Sequence, residues 1–169
     1  ARKGKVPIVN IVGDHATYHT QYDAQLQSDI ETVARNVSPG FVRTSTSTAQ
    51  LGQDAADALT AARGLPGQVA TLILPADVSW SEGGAPAALP PVPEARAADD
   101  AVLDAVARAV GSGEPVAMLL GGRALRERPL LAAARIAARC GVKLLAEVFP
   151  TRIERGAGGT AGILRIQRN

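Results

Sequence analysis

The chain has 169 residues, 46% hydrophobic and only 3% aromatic, and its 18 basic and 16 acidic side chains leave a formal charge of +2. That is enough apolar material for one ordinary domain or two small ones, with a core of Ala, Val, Leu and Ile that suits helices lying close on a parallel sheet. A lone cysteine excludes an intrachain disulfide and a multi-cysteine metal site, and no apolar run reaches the roughly 18 to 20 residues of a membrane span.

Fifteen of the basic residues are Arg, five of them between Arg123 and Arg139, but no aromatic residue sits in that stretch to stack on bases. It reads as a solvated helix face rather than a nucleic-acid groove. The N-terminal Ala-Arg-Lys-Gly-Lys is not followed by a signal-peptide core, which points to the cytoplasm. The missing initiator Met suggests processing or truncation.

Val6 to Val12 is a nearly continuous apolar run closed by Gly13-Asp14, and it predicts a strand buried on both faces. Ser28, followed by Asp29 and Glu31, caps a short helix through Ala34, and Phe41 to Thr44 predicts a second strand. From Ala49 to Arg63, Leu51, Ala55, Ala58, Leu59 and Ala62 recur at helical spacing, and Gly64, Pro66 and Gly67 end the helix. Val69 to Leu74 is another buried strand. Strand, helix and strand alternating in this way is βαβ grammar and implies a parallel sheet.

Ser81 to Ala97 holds four prolines, Gly83-Gly84 and no periodicity, which marks a semi-rigid connector and a domain boundary. The same grammar then restarts. Asp99-Asp100 opens a helix with Val102, Leu103, Val106 and Val110 on one side, and Pro115 to Leu120 is a buried strand followed by Gly121-Gly122. A helix with Pro129 in its first turn runs to Arg139, and Gly141 is its cap. Cys140 just beyond it reads as a buried structural thiol, and Val142 to Val148 is the last strand. The expected fold is therefore α/β: two partial parallel-sheet, Rossmann-like units, residues 1–80 and 98–169, joined by a Pro-rich linker at 81–97.

In this order the segments resemble a known family. Residues 6–19 (VPIVNIVGDHATYH), the loop Asp23-Ala24-Gln25-Leu26-Gln27-Ser28-Asp29-Ile30, Arg43, Pro66-Gly67-Gln68-Val69 and Pro75-Ala76-Asp77-Val78 match a distinctive region of certain thiamine-diphosphate-dependent enzymes. They resemble the second half of the pyrimidine-binding domain in the acetolactate synthase and benzoylformate decarboxylase group. Glu114-Pro115-Val116, Gly121-Gly122 and Glu147-Val148-Phe149-Pro150 resemble the start of that group's central domain, which binds FAD in some members and nothing in others. The resemblance covers about residues 6–158; the tail beyond Gly159 departs from it, as a frameshift or an artificial end would.

The resemblance implies decarboxylation of a small 2-oxo acid on thiamine diphosphate and Mg²⁺, in a homo-oligomer whose sites span two subunits. It also implies a deficit. The activating glutamate and the Gly-Asp-Gly…Asn segment that holds the metal and diphosphate are not found, so this chain reads as an internal fragment, inactive alone. A standalone nucleotide-fold binding module and a non-functional remnant are the competing readings.

The candidate site residues follow. His15 and His19 lie just beyond a strand end, where open α/β sheets place ligands, and they bracket the position of a proton-handling histidine pair in the similar pyruvate decarboxylases. Gln25, Leu26 and Gln27 stand in the loop that faces substrate in the family; where acetolactate synthases carry Phe-Gln, this chain has Gln25-Leu26. Gly121 and Gly122, between strand and helix, could offer amides to a phosphate or form only a tight turn.

Overall fold

A computed structural model describes residues 1–92 and 94–154 and, for the backbone alone, Leu164–Arg165. The departing tail beyond Gly159 lies outside the described residues except for Leu164–Arg165, whose backbone pairs with a neighbouring strand. The chain is α/β and divides into two compact units, Ala1–Glu94 and Ala95–Asn169. No helix among the described residues is long and apolar enough to cross a membrane.

In the first unit three parallel strands, β1 (Ile8–Asp14), β2 (Val42–Thr44) and β3 (Val69–Pro75), lie in the order β1-β3-β2. Strand β3 is central, and all of its residues but Leu74 are buried. The small side chains of helix α2 (Thr48–Ala62) let it approach this sheet closely: Ala58 and Ala62 form a buried cluster with Ala70 and Leu72, and Val9, Phe41, Leu51 and Ala55 pack around it. Each residue withdrawn from water in this way contributes at ~25 cal/mol per Å² of apolar surface.

Polar groups trapped in this core are paired, as burial demands. Ser38 Oγ and Thr71 Oγ1 are 2.7 Å apart, both almost fully enclosed. Asp54, on the inner side of α2, accepts from Ser45 Oγ at 2.8 Å and from Arg43 Nη1 at 3.0 Å. Arg43 also bonds Asp57 and lies 5.1 Å from the Phe41 ring centroid, so β2 is tied to α2 by a guanidinium with partners on three sides. The Asp57 and Asp54 carboxylates raise the Arg43 pKa, and Arg43, with Gln53, lowers that of Asp57.

Three expectations change here. Strand β1 starts two residues later than Val6 and is not buried on both faces; it is an edge strand, and Ile11 is 68% exposed. Helix α1 (Ile30–Arg35) is capped by Asp29, whose carboxylate accepts from the Thr32 amide at 3.0 Å, and not by Ser28. Leu59 stands outside the buried stripe of α2, and Asp54 and Ala56 stand within it.

The second unit repeats the pattern with β4 (Ala117–Leu120), β5 (Lys143–Ala146) and the two-residue β6 (Leu164–Arg165), parallel and in the order β4-β5-β6. Its core gathers Leu125, Leu130, Ala133, Val142, Leu144 and Ala146. Helix α5 (Glu127–Cys140) supplies Leu130 and Ala133, carries Pro129 in its first turn and ends on Gly141 at φ 71°, a left-handed cap that glycine adopts without strain. Strand β4 is an edge strand with Leu119 exposed, so it too lacks the expected cover on both faces. Helix α4 (Asp100–Val110) carries the expected apolar stripe, yet Val102, Leu103 and Val106 are about half exposed. Cys140 is exposed, not buried: the inward stripe of α5 passes through Leu130, Ala133 and Ala137, and Cys140 is its last residue, at the open end before the chain turns at Gly141.

Candidate functional site

The first unit has a cavity of about 420 Å³ at the carboxyl ends of β1 and β3. The two strands end on the same rung, Asp14 opposite Pro75, so the segments that follow them face each other. After β1 the His15 amide donates to Asp14 Oδ1 at 2.7 Å, and Ala16 is buried. A 3₁₀ turn, Thr17–Tyr22, carries His19, whose amide donates to Ala16 O at 2.8 Å. The Tyr18 and His19 rings meet edge to face, with centroids 4.6 Å apart. The turn closes at Asp23, a non-glycine residue in the left-handed region at φ 47°, a conformation Asp tolerates better than most residues.

After β3 the chain enters α3 (Ala76–Trp80). Asp77, in its first turn, clasps the opposite segment: the Thr17 amide donates to Oδ1 at 2.9 Å and the Thr17 hydroxyl to Oδ2. These two bonds hold the Asp77 carboxyl below the usual aspartate value. Asp14, His15 and His19 form the polar part of the cavity wall. Leu26, Ile30, Ala76 and Trp80 form most of the rest.

Of the residues singled out from sequence, His15, His19 and Leu26 therefore border one cavity. Gln25 is exposed and outside its lining; Gln27 is also outside the lining but half-buried, and its Oε1 is enclosed with no hydrogen-bond partner among the described residues. Gly121 and Gly122 belong to the second unit. Gly122 lies at φ 52° and its amide donates to Glu147 Oε1 at 3.0 Å, so a carboxylate of the chain itself stands where a phosphate would be received.

Sequence reasoning missed Trp80, Ile30 and the Thr17–Asp77 clasp. The signal was available: two parallel strands closed by Gly13-Asp14 and by Pro75 must bring their following residues together if they end in register.

Imidazoles are the side chains that most readily take up and release protons in neutral water, and two of them beside a carboxylate can relay a proton to a carbonyl substrate. A magnesium-bound diphosphate has different needs, several hard oxygen ligands around one ion. Among the described residues no group of three or more His, Cys, Asp or Glu side chains is placed to hold a metal.

No family model matches the chain. It is similar, at 52% identity over 158 residues, to a Mycobacterium tuberculosis protein that carries the provisional name acetolactate synthase large subunit IlvX. The match covers 94% of this chain and 30% of that relative's length.

Proposed function

We propose that this chain corresponds to an internal part of a thiamine-diphosphate-dependent enzyme of acetolactate synthase type, with residues 1–80 from the pyrimidine-binding domain and 98–169 from the start of the central domain. The observation that carries the reading is the 52% identity over 158 residues, which runs through both units. The chemistry is decarboxylation of a 2-oxo acid and release or transfer of the resulting acyl unit. In this role the cavity at the ends of β1 and β3 faces substrate. His15 and His19 handle protons at its mouth, and the Thr17–Asp77 clasp fixes the turn that carries His19. Thiamine diphosphate supplies the carbanion-stabilising centre when bound, and other segments of the enzyme seat it and its Mg²⁺.

The apolar side chains left open in both units, Ile11 in one and Val106 and Leu119 in the other, support a chain that works within a larger assembly. The Glu147 carboxylate on the Gly122 amide argues against a standalone phosphate- or nucleotide-binding module.

A graft tests the reading. Residues 6–154 replace the matching segment of the mycobacterial relative, and turnover of 2-oxo acids is followed with thiamine diphosphate and Mg²⁺. Retained cofactor-dependent release of CO₂ at a rate within tenfold of the parent supports the proposal. A folded graft that binds thiamine diphosphate and has lost all turnover refutes it, as does cofactor-dependent turnover by the 169-residue chain alone.

A further inference from the structure

We propose that the second unit carries a binding site for a free aliphatic carboxylate of medium chain length, in a cavity of about 590 Å³ shared by α4, α5 and β4. The proposal is independent of the enzymatic reading, because every residue that lines this cavity lies within Ala95–Asn169 and none borders the histidine cavity. Shape is the first observation. The apolar stripe of α4 is poorly covered, and Leu103 is 53% exposed. The stripe is nevertheless one wall of a concavity: Leu103 and Val110 stand on α4, Ile136 on α5 and Met118 on β4. Val110 and Met118 also pack against the buried core, so they close its inner end. The volume falls within the ~300–1,000 Å³ usual for small-molecule sites, which are mostly apolar with a few polar groups to fix the ligand.

Charge is the second. The polar side chains of the lining are Arg135, Arg139 and Cys140, with no carboxylate among them. Arg135 and Arg139 stand one turn apart on α5, a spacing at which like charges repel. Neither has an ion-pair partner among the described residues, whereas Arg35, Arg43, Arg126 and Arg152 each have one. Arg139 lies in the last turn, where the carbonyl ends of the helix already favour a cation. Arg135 is a turn further from those carbonyls, so an anionic head group gains most by meeting it.

The third observation decides the body of the ligand. No aromatic side chain lines the cavity, so a ring would find no aromatic partner there. A flexible hydrocarbon chain can follow the Leu103, Met118 and Ile136 side chains instead, and each methylene fully withdrawn from water tightens binding about fourfold.

Cys140 is the chain's one thiol, is exposed and lines the cavity, so its reactivity reports occupancy. The whole chain is alkylated with N-ethylmaleimide in the presence of decanoate, decanol or decyltrimethylammonium, each below its micelle threshold, with the fold followed by circular dichroism. Decanoate should slow alkylation saturably, by at least ~10-fold, and decanol should need about tenfold higher concentration for the same protection. The cation should not protect, and octanoate should bind several-fold more weakly than decanoate. Arg135→Gln should bring decanoate to the level of decanol, while Arg128→Gln, outside the lining, leaves it unchanged. No saturable protection, equal protection by the cation, or an unchanged preference for decanoate in Arg135→Gln overturns the proposal. Faster alkylation with loss of the helical signal also overturns it, since decanoate would then be acting as a denaturant. Slow alkylation without ligand that speeds up on dilution assigns the face to a second copy of the chain and overturns it as well.

Discussion

Asp54 and Asp57 hold the same guanidinium, yet removing them should have very different consequences. Asp54 has 12% of its side chain exposed and serves two donors, Arg43 and the hydroxyl of Ser45, which is fully enclosed. Asp54→Ala leaves that hydroxyl buried without its acceptor, at about 1–3 kcal/mol, and removes one charge-assisted bond. The second loss is discounted, because Arg43 is 40% exposed and keeps Asp57. The sum is about 2–4 kcal/mol. Asp57→Ala breaks a pair whose members are 31% and 40% exposed, worth about 0.2–1 kcal/mol by the usual yield of such pairs. Asp54→Asn should fall between, since it keeps an oxygen for Ser45 and loses the charge. Urea unfolding read by Trp80 fluorescence measures all three, because Trp80 lies in the same compact unit as the network. Midpoints should order as Asp57→Ala, Asp54→Asn and Asp54→Ala from most to least stable, with unchanged slopes. If the two alanine variants lie within about 0.5 kcal/mol of each other, burial is not what distinguishes the carboxylates and the reasoning fails.

Asp77 gives a pH dependence whose sign follows from its bonds with Thr17. Its folded pKa is depressed below the ordinary value of 3.8, so the clasp is fully present above that pH and is lost as pH falls through the lower, folded value. The stability gap between the native chain and Asp77→Asn should therefore shrink below about pH 4; a gap that stays constant through acid unfolding refutes the assignment. Gly141→Ala has room for its methyl but must hold φ at 71°, so it should lower the stability of the second unit by about 1 kcal/mol, read by far-UV circular dichroism. Gly141→Asn, which tolerates that conformation, should recover part of the loss. Cys140 should react with a thiol-specific aromatic disulfide in the native chain at a rate comparable to the unfolded chain; protection of a hundredfold or more would show it to be covered.

Much of the fold was legible because local signals agreed. The run Val69 to Leu74 reads as a buried strand and is one, with a neighbour on each side; Pro129 and Gly141 start and stop their helix as backbone chemistry requires. The runs at Val6 and Pro115 read the same way and became edge strands with one side open. Apolar text shows what a strand is able to cover, and whether a neighbour is present is decided elsewhere. The stripe on α4 is a case of the same kind: Val102, Leu103 and Val106 keep helical spacing and remain half exposed. The Ser28 and Asp29 choice turned on which side chain reaches the Thr32 amide, a matter of angle that sequence leaves open.

The candidate site was half legible for a related reason. His15, His19 and Leu26 share one stretch of chain and could be grouped by eye. Trp80 lies more than fifty residues further on, and only the pairing of β1 with β3 brings it to the same cavity. Asp54 escaped notice because a carboxylate among alanines on a helix looks solvated until Ser45 and Arg43 are seen to need it.

The shared end-point of β1 and β3 also limits how the cavity can be remodelled. Adding or deleting one residue upstream of Asp14 or Pro75 would slide one strand by about 3.3 Å and turn its side chains to the opposite face. Thr17 and Asp77 would then miss each other, and the histidines would part company with the indole. Exchanges at positions such as Leu26, Ile30 or Trp80 leave the spacing intact. Libraries built to redirect this mouth should vary side-chain identity and keep chain length fixed from Val9 to Thr17 and from Val69 to Asp77.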